Sequence, residues 1–263
     1  MSDLILGFIL GIVQGLTEFL PISSSAHLLI PNLVFGANDL GLAFDISVHV
    51  GSLLAVIYYF RDDILAMTKS LFQSNNLLKD ERLLAILLMI ATIPIVIVGF
   101  FGSDLINENR SNVNSVAYMN LIFAGFLFFA YLYSSASKNL VELTVMGAIF
   151  IGVFQVFSLL PGASRSGTAM TAALLIGLNL KDASKFAFLL SIPTIFGALF
   201  FLLIEISTSN YSLNFNSLFI GFITSFVVAF LTIKYFLIFV DKIGMYPFVI
   251  YRIILGCILL LLI

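Results

Sequence analysis

Two stretches of the sequence decide the fold. Residues 11–27 read GIVQGLTEFLPISSSAH, and residues 152–167 read GVFQVFSLLPGASRSG. In both, an apolar run with one glutamine stops at a Leu-Pro pair, and serines follow the proline. Proline ends a helix and serine begins one, so each stretch predicts a helix, a break and a short second helix. We therefore expect two re-entrant helical hairpins, over 3–35 and 141–178, that enter and leave a membrane by one face.

The composition indicates that lipid, rather than water, surrounds these hairpins. Of the 263 residues, 61% are hydrophobic and 10% are charged, and the mean hydropathy is +1.14. A soluble domain carries about a quarter charged residues, so we predict an all-α integral membrane protein that contacts the lipid bilayer. The net charge of −2 gives no indication of a nucleic-acid partner.

The rest of the chain predicts six transmembrane helices in one membrane domain, 1–263. Each span needs about 20 apolar residues. Three of the spans lie between the two hairpins, so the halves 1–138 and 139–263 are predicted to form an inverted-topology repeat. The six spans are placed near 42–60, 83–101, 116–134, 186–206, 218–237 and 247–263.

The distribution of basic residues predicts the orientation. Lysine and arginine concentrate in the connections 61–82, 135–140, 179–185 and 234–246, whereas Arg110 is the one basic residue in the loops of the other side. The positive-inside rule then places the first set in the cytoplasm. We expect both termini and both breaks to face the outside.

Glu18 is the sharpest functional signal in the first hairpin. A carboxylate at membrane depth costs about 2.5–3.5 kcal/mol on insertion scales, so it is normally kept for function and faces the protein interior. Gln14 lies one turn before Glu18 on the same helix face, and Gly7 and Gly11 extend that stripe. Small residues there allow another helix to approach closely.

The serines after Pro21 indicate an anion site. Ser23, Ser24 and Ser25 stand where the short helix begins, and the free N–H groups of a helix start bind anions. Serine also supplies a nucleophile when a base lies nearby, and His27 is a candidate base. A purely structural His27 is an equally good interpretation of the sequence.

The second break contributes a positively charged side chain. Arg165 is the only basic residue between the two helices of that hairpin, and its guanidinium fits phosphate oxygens in pairs. Ser164 and Ser166 add donors, and Gly167 allows backbone to approach closely. Two donor-rich helix starts that meet inside the membrane would suit a lipid headgroup with two or three negative charges.

Three further ionisable residues are less informative. Asp45 and His49 lie one turn apart at the start of a span, where they would bind a metal, support the site or bond to each other. Arg252 in the last span is predicted to be structural and to pair with Asp241 near the cytoplasmic face.

The two motifs together resemble a known family. The segment QGLTEFLPISSSAH (14–27), the segment PGASRSG (161–167) and the stretch FVIYR (248–252) are similar to the bacterial undecaprenyl-diphosphate phosphatases of the BacA/UppP type. The resemblance covers essentially the whole chain. It implies inverted repeats with re-entrant hairpins, a site open to the periplasmic side and an inner-membrane location.

The resemblance also implies an activity. Members of this family hydrolyse undecaprenyl diphosphate to the monophosphate, recycle the carrier lipid for peptidoglycan synthesis and confer bacitracin resistance. They depend on a divalent cation, Mg²⁺ or Ca²⁺, for which Glu18 and Gln14 would be the ligands here. The family often has Glu at the position of Gln14. By motif position, the functional residues are Gln14, Glu18, Ser23, Ser24, His27, Ser164, Arg165 and Ser166.

These signals combine into a hypothesis of phosphoryl transfer. Arg165 and the two helix starts clamp the diphosphate, and Glu18 holds the cation or acts as base. Ser24 attacks or orients a water, with His27 as proton carrier. The alternative is a lipid-phosphate flippase or transporter, because inverted repeats with broken helices are also transporter architecture. The sequence leaves the oligomeric state open between a monomer and a homodimer.

Overall fold

A computed structural model describes residues 2–36, 39–72, 78–102, 112–207 and 214–262. Within these residues the chain forms eleven α-helices and two short 3₁₀-helices, and strand pairing is confined to a bridge between Lys138 and Leu178. The predicted all-α class is therefore confirmed. The helices are α1 (Asp3–Thr17), α2 (Ser24–Phe35), α3 (Leu42–Tyr59), α4 (Arg61–Phe72), α5 (Lys79–Phe101), α6 (Val113–Tyr133), α7 (Val145–Gln155), α8 (Arg165–Leu175), α9 (Leu180–Ser207), α10 (Phe215–Ile243) and α11 (Tyr246–Leu261).

Five helices in the described part of the chain, α3, α5, α6, α9 and α10, are long and apolar enough to cross a bilayer. They correspond to five of the six predicted spans. The sixth span is also helical, as α11, but α11 has only 16 residues. At about 1.5 Å per residue it rises about 24 Å, less than the hydrocarbon core of about 30 Å. The sixth predicted span is therefore present as an apolar helix that is shorter than the other five.

The predicted connection 61–82 is helical over much of its length and is not an irregular loop. It contains the 12-residue helix α4, which packs on α5. Asp62 and Asp63 lie in the first turn of α4, and Asp80 and Glu81 lie in the first turn of α5. Acidic side chains stabilise a helix start, so these residues favour both helices.

Both predicted breaks are present. Helix α1 ends at Thr17 and α2 begins at Ser24. In the second region, α7 continues as a 3₁₀-helix over Val156–Leu159 before α8 begins at Arg165. In each region the two α-helices contact each other. The sequence thus predicted the helix, break and short helix correctly in both places.

Glycines seat the first helix of each broken region against a long helix. An added Cβ at Gly11 would lie 2.8 Å from the carbonyl oxygen of Gly221 in α10. An added Cβ at Gly152 would collide with the backbone of Ala91 in α5. The predicted glycine stripe on α1 therefore does allow close helix approach. These contacts fix the position of both breaks relative to α10 and α5.

Helix α8 lies at the centre of the fold. Every residue from Ser166 to Leu174 is buried, and α8 contacts α6, α7 and α9. The second break therefore stands on a rigid, enclosed helix. Arg110, on which the predicted orientation partly depends, lies outside the described residues. The orientation and the inverted repeat remain predictions.

Candidate active site

The two breaks share an uncommon backbone conformation. Ser23 has φ 71° and ψ 96°, and Ser164 has φ 69° and ψ 115°. Positive φ costs a residue with a side chain about 1–2 kcal/mol, and such strain clusters at functional sites. Each serine directly precedes its short helix, so it turns the chain into α2 or α8. The residues that follow, Ser24 and Arg165, are thereby aimed at the same place.

Glu18 forms the centre of the site. Its side chain is buried, and Oε1 accepts a hydrogen bond from Arg165 Nη2 on the other break. Oε2 accepts from Ser24 Oγ at 2.8 Å and from Gln14 Nε2 at 2.9 Å. The Nε2 atom of His49 lies 3.8 Å from the same oxygen. The predicted acid and guanidinium therefore do share one pocket.

Arg165 connects this carboxylate to α9. Its Nη1 lies 3.3 Å from the carbonyl oxygen of Ser191 and 3.3 Å from Thr194 Oγ1. The Arg165 side chain keeps 18% of its surface exposed. It is thus held on two sides while part of the guanidinium faces the opening. Ser191 and Thr194 were not predicted from the sequence, because they lie in an apolar run without a motif.

The first break leaves its helix start open. Ser23 is buried, and its side chain does not cap α2. Instead, Ser23 Oγ and Ser25 Oγ lie 3.1 Å apart. Ser24 is partly exposed, and Ser25 is exposed. The first N–H groups of α2, together with these hydroxyls, therefore form a donor-rich edge beside Glu18.

The second break is more tightly bound. Ser164 Oγ accepts from the N–H of Gly167 at 3.2 Å and lies 3.3 Å from Ser166 Oγ. Ser166 Oγ donates to the carbonyl oxygen of Leu20 at 2.9 Å, which ties the second break to the first. An added Cβ at Gly167 would lie 2.9 Å from Arg252 Nη1. Ser164, Ser166 and Gly167, which were predicted to bind substrate, therefore mainly hold the backbone of the site in place.

His27 is held away from Ser24. Its Nδ1 lies 2.7 Å from the carbonyl oxygen of Ser23, and its Nε2 lies 2.6 Å from the hydroxyl of Tyr251. A carbonyl oxygen only accepts, so Nδ1 carries the proton and Nε2 accepts from Tyr251. Within the described residues, both ring nitrogens are thus engaged without Ser24. This arrangement favours the structural interpretation of His27, as a support for the strained backbone of Ser23.

The predicted pairing of Arg252 with Asp241 was wrong. Arg252 is fully buried, whereas Asp241 is exposed. The Nη2 atom of Arg252 donates to the carbonyl oxygens of Gly162 and Ala163, each at 3.0 Å, and Nη1 lies 3.5 Å from the carbonyl oxygen of Pro21. One side chain from α11 therefore holds the backbone of both breaks.

Asn120 in α6 completes this arrangement. Its Oδ1 accepts from Arg252 Nε at 2.9 Å, and its Nδ2 donates to the carbonyl oxygen of Arg252 at 2.7 Å. Both residues are fully buried. A signal for Arg252 was present in the sequence, because the cost argument applied to Glu18 also applies to an arginine in the middle of an apolar run.

Comparison with known proteins places the chain in a family. A family profile described as "Bacitracin resistance protein BacA" matches residues 7–258. The chain belongs to the BacA family. Proteins named undecaprenyl-diphosphatase are similar along nearly their whole length. The match to the protein of Alcanivorax borkumensis is 43% identical over 254 residues and covers 96% of each chain.

Two further relatives carry the same name. The undecaprenyl-diphosphatase of Saccharophagus degradans is 43% identical over 258 residues, which covers 97% of this chain and 96% of the relative. That of Alteromonas mediterranea is 45% identical over 255 residues and covers 96% of each chain. The predicted family is therefore confirmed. These matches include both breaks and the C-terminal helix.

The divalent cation expected for a BacA protein has two candidate ligands here. Among the described residues, no cluster of three Asp, Glu, His or Cys side chains could hold an ion alone. The Oε1 atom of Gln14 is buried and finds no hydrogen-bond donor in the described part of the chain. Mg²⁺ binds oxygen atoms and commonly takes several from substrate phosphates. Gln14 and Glu18 therefore fit an ion that a diphosphate helps to hold.

His49 and Asp45 support this centre rather than forming one of their own. His49 Nδ1 lies 2.7 Å from the backbone carbonyl oxygen of Asp45, which orients the ring so that Nε2 faces Glu18. Of the three possibilities left open for this pair, the contacts match two, the bond between the two residues and the support of the site. The spacing of one helical turn was the only signal that the sequence offered.

Proposed function

We propose that this membrane protein hydrolyses undecaprenyl diphosphate to undecaprenyl phosphate and inorganic phosphate. The observation that carries the proposal is the contact between Glu18 and Arg165 across the two breaks, with Ser24 hydrogen-bonded to the same carboxylate. The names of the three relatives support it. As in the BacA family, this activity returns the carrier lipid to peptidoglycan synthesis and confers bacitracin resistance.

Ser24 is the nucleophile in this mechanism, and Glu18 is its base. Ser24 Oγ already donates to Glu18 Oε2 at 2.8 Å, while Gln14 and Arg165 hold the carboxylate from two other sides. As Ser24 attacks the terminal phosphorus, its proton passes to Glu18 and the bridging P–O bond breaks. Undecaprenyl phosphate leaves. Water then hydrolyses the phosphoserine and releases inorganic phosphate.

Electrostatic stabilisation is the main source of rate in this scheme. The guanidinium of Arg165 and the open N–H groups at the start of α2 face the phosphoryl group, where negative charge accumulates. A divalent cation held with Gln14 and Glu18 would neutralise part of the diphosphate charge. The tertiary contacts of Arg252 and His27 keep both breaks in position.

The decisive experiment measures phosphate release by the purified full-length protein in detergent, with undecaprenyl diphosphate and Mg²⁺. We expect release by the wild type and almost none by Glu18→Gln or Arg165→Ala. Leu16→Ala, at an exposed position of α1, is the matched control. Failure of the wild type to release phosphate, with labelled lipid crossing the bilayer of proteoliposomes, would instead establish the transporter alternative.

A second measurement tests the role of Ser24. Brief reaction with substrate labelled on the terminal phosphate, followed by acid quenching, should leave label on the wild-type chain and none on Ser24→Ala. Unlabelled wild type under conditions of rapid turnover would mean that water attacks directly. Glu18 would then act on that water.

We further propose that the site and both termini face the periplasm from the inner membrane of a bacterium. The support is the bias of basic residues toward the connections 61–82 and 179–185. A membrane-impermeant maleimide should label Asn214→Cys, beside the start of α10, in intact spheroplasts. Labelling of Lys181→Cys instead would reverse the orientation. The choice between a monomer and a homodimer stays open, and light scattering in detergent tests it.

A further inference from the structure

A groove with a volume of about 310 Å³ lies between α5 and α9 on the apolar surface. Helix α5 contributes Met89, Ile93 and Val96 to its lining, and α9 contributes Pro193. The one polar side chain in the lining, Thr92, donates its hydroxyl to the carbonyl oxygen of Leu88 at 2.7 Å. Its polar group is therefore satisfied within the helix, and the groove presents an apolar wall.

Helix α9 contacts Arg165 and also lines the groove. Pro193 lies between Ser191 and Thr194, the two residues of α9 that contact Arg165 Nη1. Successive residues of a helix point about 100° apart, so one side of α9 faces the guanidinium while the adjacent side faces the groove. A molecule bound to Arg165 by its headgroup therefore reaches the groove by passing around a single helix.

The corresponding place in the other half is closed. The predicted repeat aligns Phe44 within α3 with Phe186 within α9, so Gly51 of α3 corresponds to Pro193 of α9. An added Cβ at Gly51 would collide with Ser225 and Phe222, so α3 and α10 touch directly there. Proline, with its bulky ring, cannot allow such an approach. At this point α3 and α10 are in direct contact, whereas a groove lies between α5 and α9.

We propose that this groove binds the first isoprenoid units of the lipid chain attached to the diphosphate. The inference rests on the proposed function, because it assigns a tail site to the same substrate. Helix α5 rises about 12 Å between Met89 and Ile97, at about 1.5 Å per residue, which accommodates a short run of branched units. The groove thereby positions the phosphates relative to Arg165 and distinguishes an isoprenoid chain from the straight acyl chains of the bilayer.

The expected energetic effect is modest. Lipid is as apolar as the groove, so the chain gains packing contacts and no hydrophobic driving force when it enters. The groove should therefore influence substrate binding and alignment rather than the chemical step. A change in the groove should alter kcat/KM for a long-chain substrate more than for a substrate with one isoprene unit.

The first test is photocrosslinking in nanodiscs of phosphatidylcholine. A benzophenone amino acid replaces Ile93 in the groove or, as the control, Val98, which is lipid-exposed on α5 outside the lining. Radiolabelled undecaprenyl phosphate should crosslink at position 93 several times more than at 98. Excess unlabelled undecaprenyl phosphate should remove the signal. Equal labelling at both positions would mean that the groove holds ordinary bilayer lipid, and would overturn the proposal.

The second test fills the groove. Ile93→Trp should lower kcat/KM for undecaprenyl diphosphate about fivefold, because the ring takes packing space from the chain. For isopentenyl diphosphate, with one isoprene unit, kcat/KM should remain within about twofold, and Val98→Trp should leave both values unchanged. Equal loss for both substrates would overturn the tail assignment.

The two proposals fail differently. A wild-type protein that crosslinks undecaprenyl phosphate at position 93 but releases no phosphate would disprove the hydrolase and leave the groove as a lipid site. Normal hydrolysis without a preference for position 93 over 98 would disprove the groove alone.

Discussion

The breaks at Ser23 and Ser164 have the same backbone and different chemistry. Their φ values, 71° and 69°, differ by less than the scatter within any regular element. Ser164 caps its helix through Gly167, whereas Ser23 leaves the start of α2 uncapped. The next residue is Ser24 in one break and Arg165 in the other. The same turn thus presents a hydroxyl beside free N–H groups on one side and a guanidinium on the other.

The glutamines before the two breaks also occupy equivalent positions and differ in their hydrogen bonds. Gln14 and Gln155 are both fully buried, and each lies three residues after a helix-packing glycine. Gln14 donates to Glu18, whereas both polar atoms of Gln155 are without a partner among the described residues. The two breaks therefore share their backbone geometry, whereas the reactive groups are divided between them.

Replacement of the hydroxyl that follows Ser23 should have the largest effect. Ser24→Ala removes the proposed nucleophile, and kcat for phosphate release should fall at least about 10⁴-fold, as for other nucleophile deletions. Leu16→Ala, at an exposed position of α1, is the matched control and should change kcat less than about threefold. Comparable losses in the two variants would show that the effect is not specific to Ser24.

Replacement of the guanidinium that follows Ser164 should have the second largest effect. Arg165→Lys keeps the charge but cannot contact Glu18, Ser191 and Thr194 together through a planar fork. We expect kcat to fall about 10³-fold while the protein stays folded. Steady-state phosphate release and a thermal melt in the same detergent measure the two quantities. A lysine variant with near wild-type kcat would show that charge alone is sufficient at this position.

Loss of the side chain that supports both breaks should have the third largest effect. Arg252→Met leaves the buried carbonyl oxygens of Gly162 and Ala163 without their donor, and should lower the free energy of unfolding by about 3 kcal/mol. Calorimetry in detergent checks this. Asp63→Asn breaks the partly exposed pair with Lys185 and should cost less than about 1 kcal/mol. Equal losses would mean that Arg252 does not hold the breaks.

The smallest effect separates the two strained serines directly. Ser164→Ala removes a helix cap and should destabilise the protein by about 1 kcal/mol. Ser23→Ala removes no cap and should cost only a few tenths of a kcal/mol on the same scale. The same calorimetric measurement compares them. Equal costs would show that both helix starts depend on their serines alike, which would contradict the difference between the breaks.

The sequence predicted the parts of the fold that depend on local pattern. Proline and serine marked both breaks, the cost of a charge in lipid singled out Glu18, and the fit of a guanidinium to phosphate singled out Arg165. The sixth span, predicted near 247–263, corresponds closely to α11, which runs from Tyr246 to Leu261. Helix α4 was missed because its mixed polar and apolar residues resemble a loop.

Contacts between distant segments were not predictable in the same way. Tyr251 bonds to His27 across 224 residues, and Thr194 bonds to Arg165 across 29. No periodicity or motif in one chain indicates which helices become neighbours at that point. Arg252 was assigned the wrong partner for this reason, because Asp241 is close in sequence and Gly162 is not.

Arg252 follows both breaks in the chain, which has a consequence for biosynthesis. The ribosome completes both breaks well before it reaches the residue that bonds to their backbones. A chain in which α11 has not yet inserted lacks these bonds, so its reactive groups are not yet aligned. Competence for catalysis is therefore acquired when α11 inserts, and copies truncated before α11 remain inert.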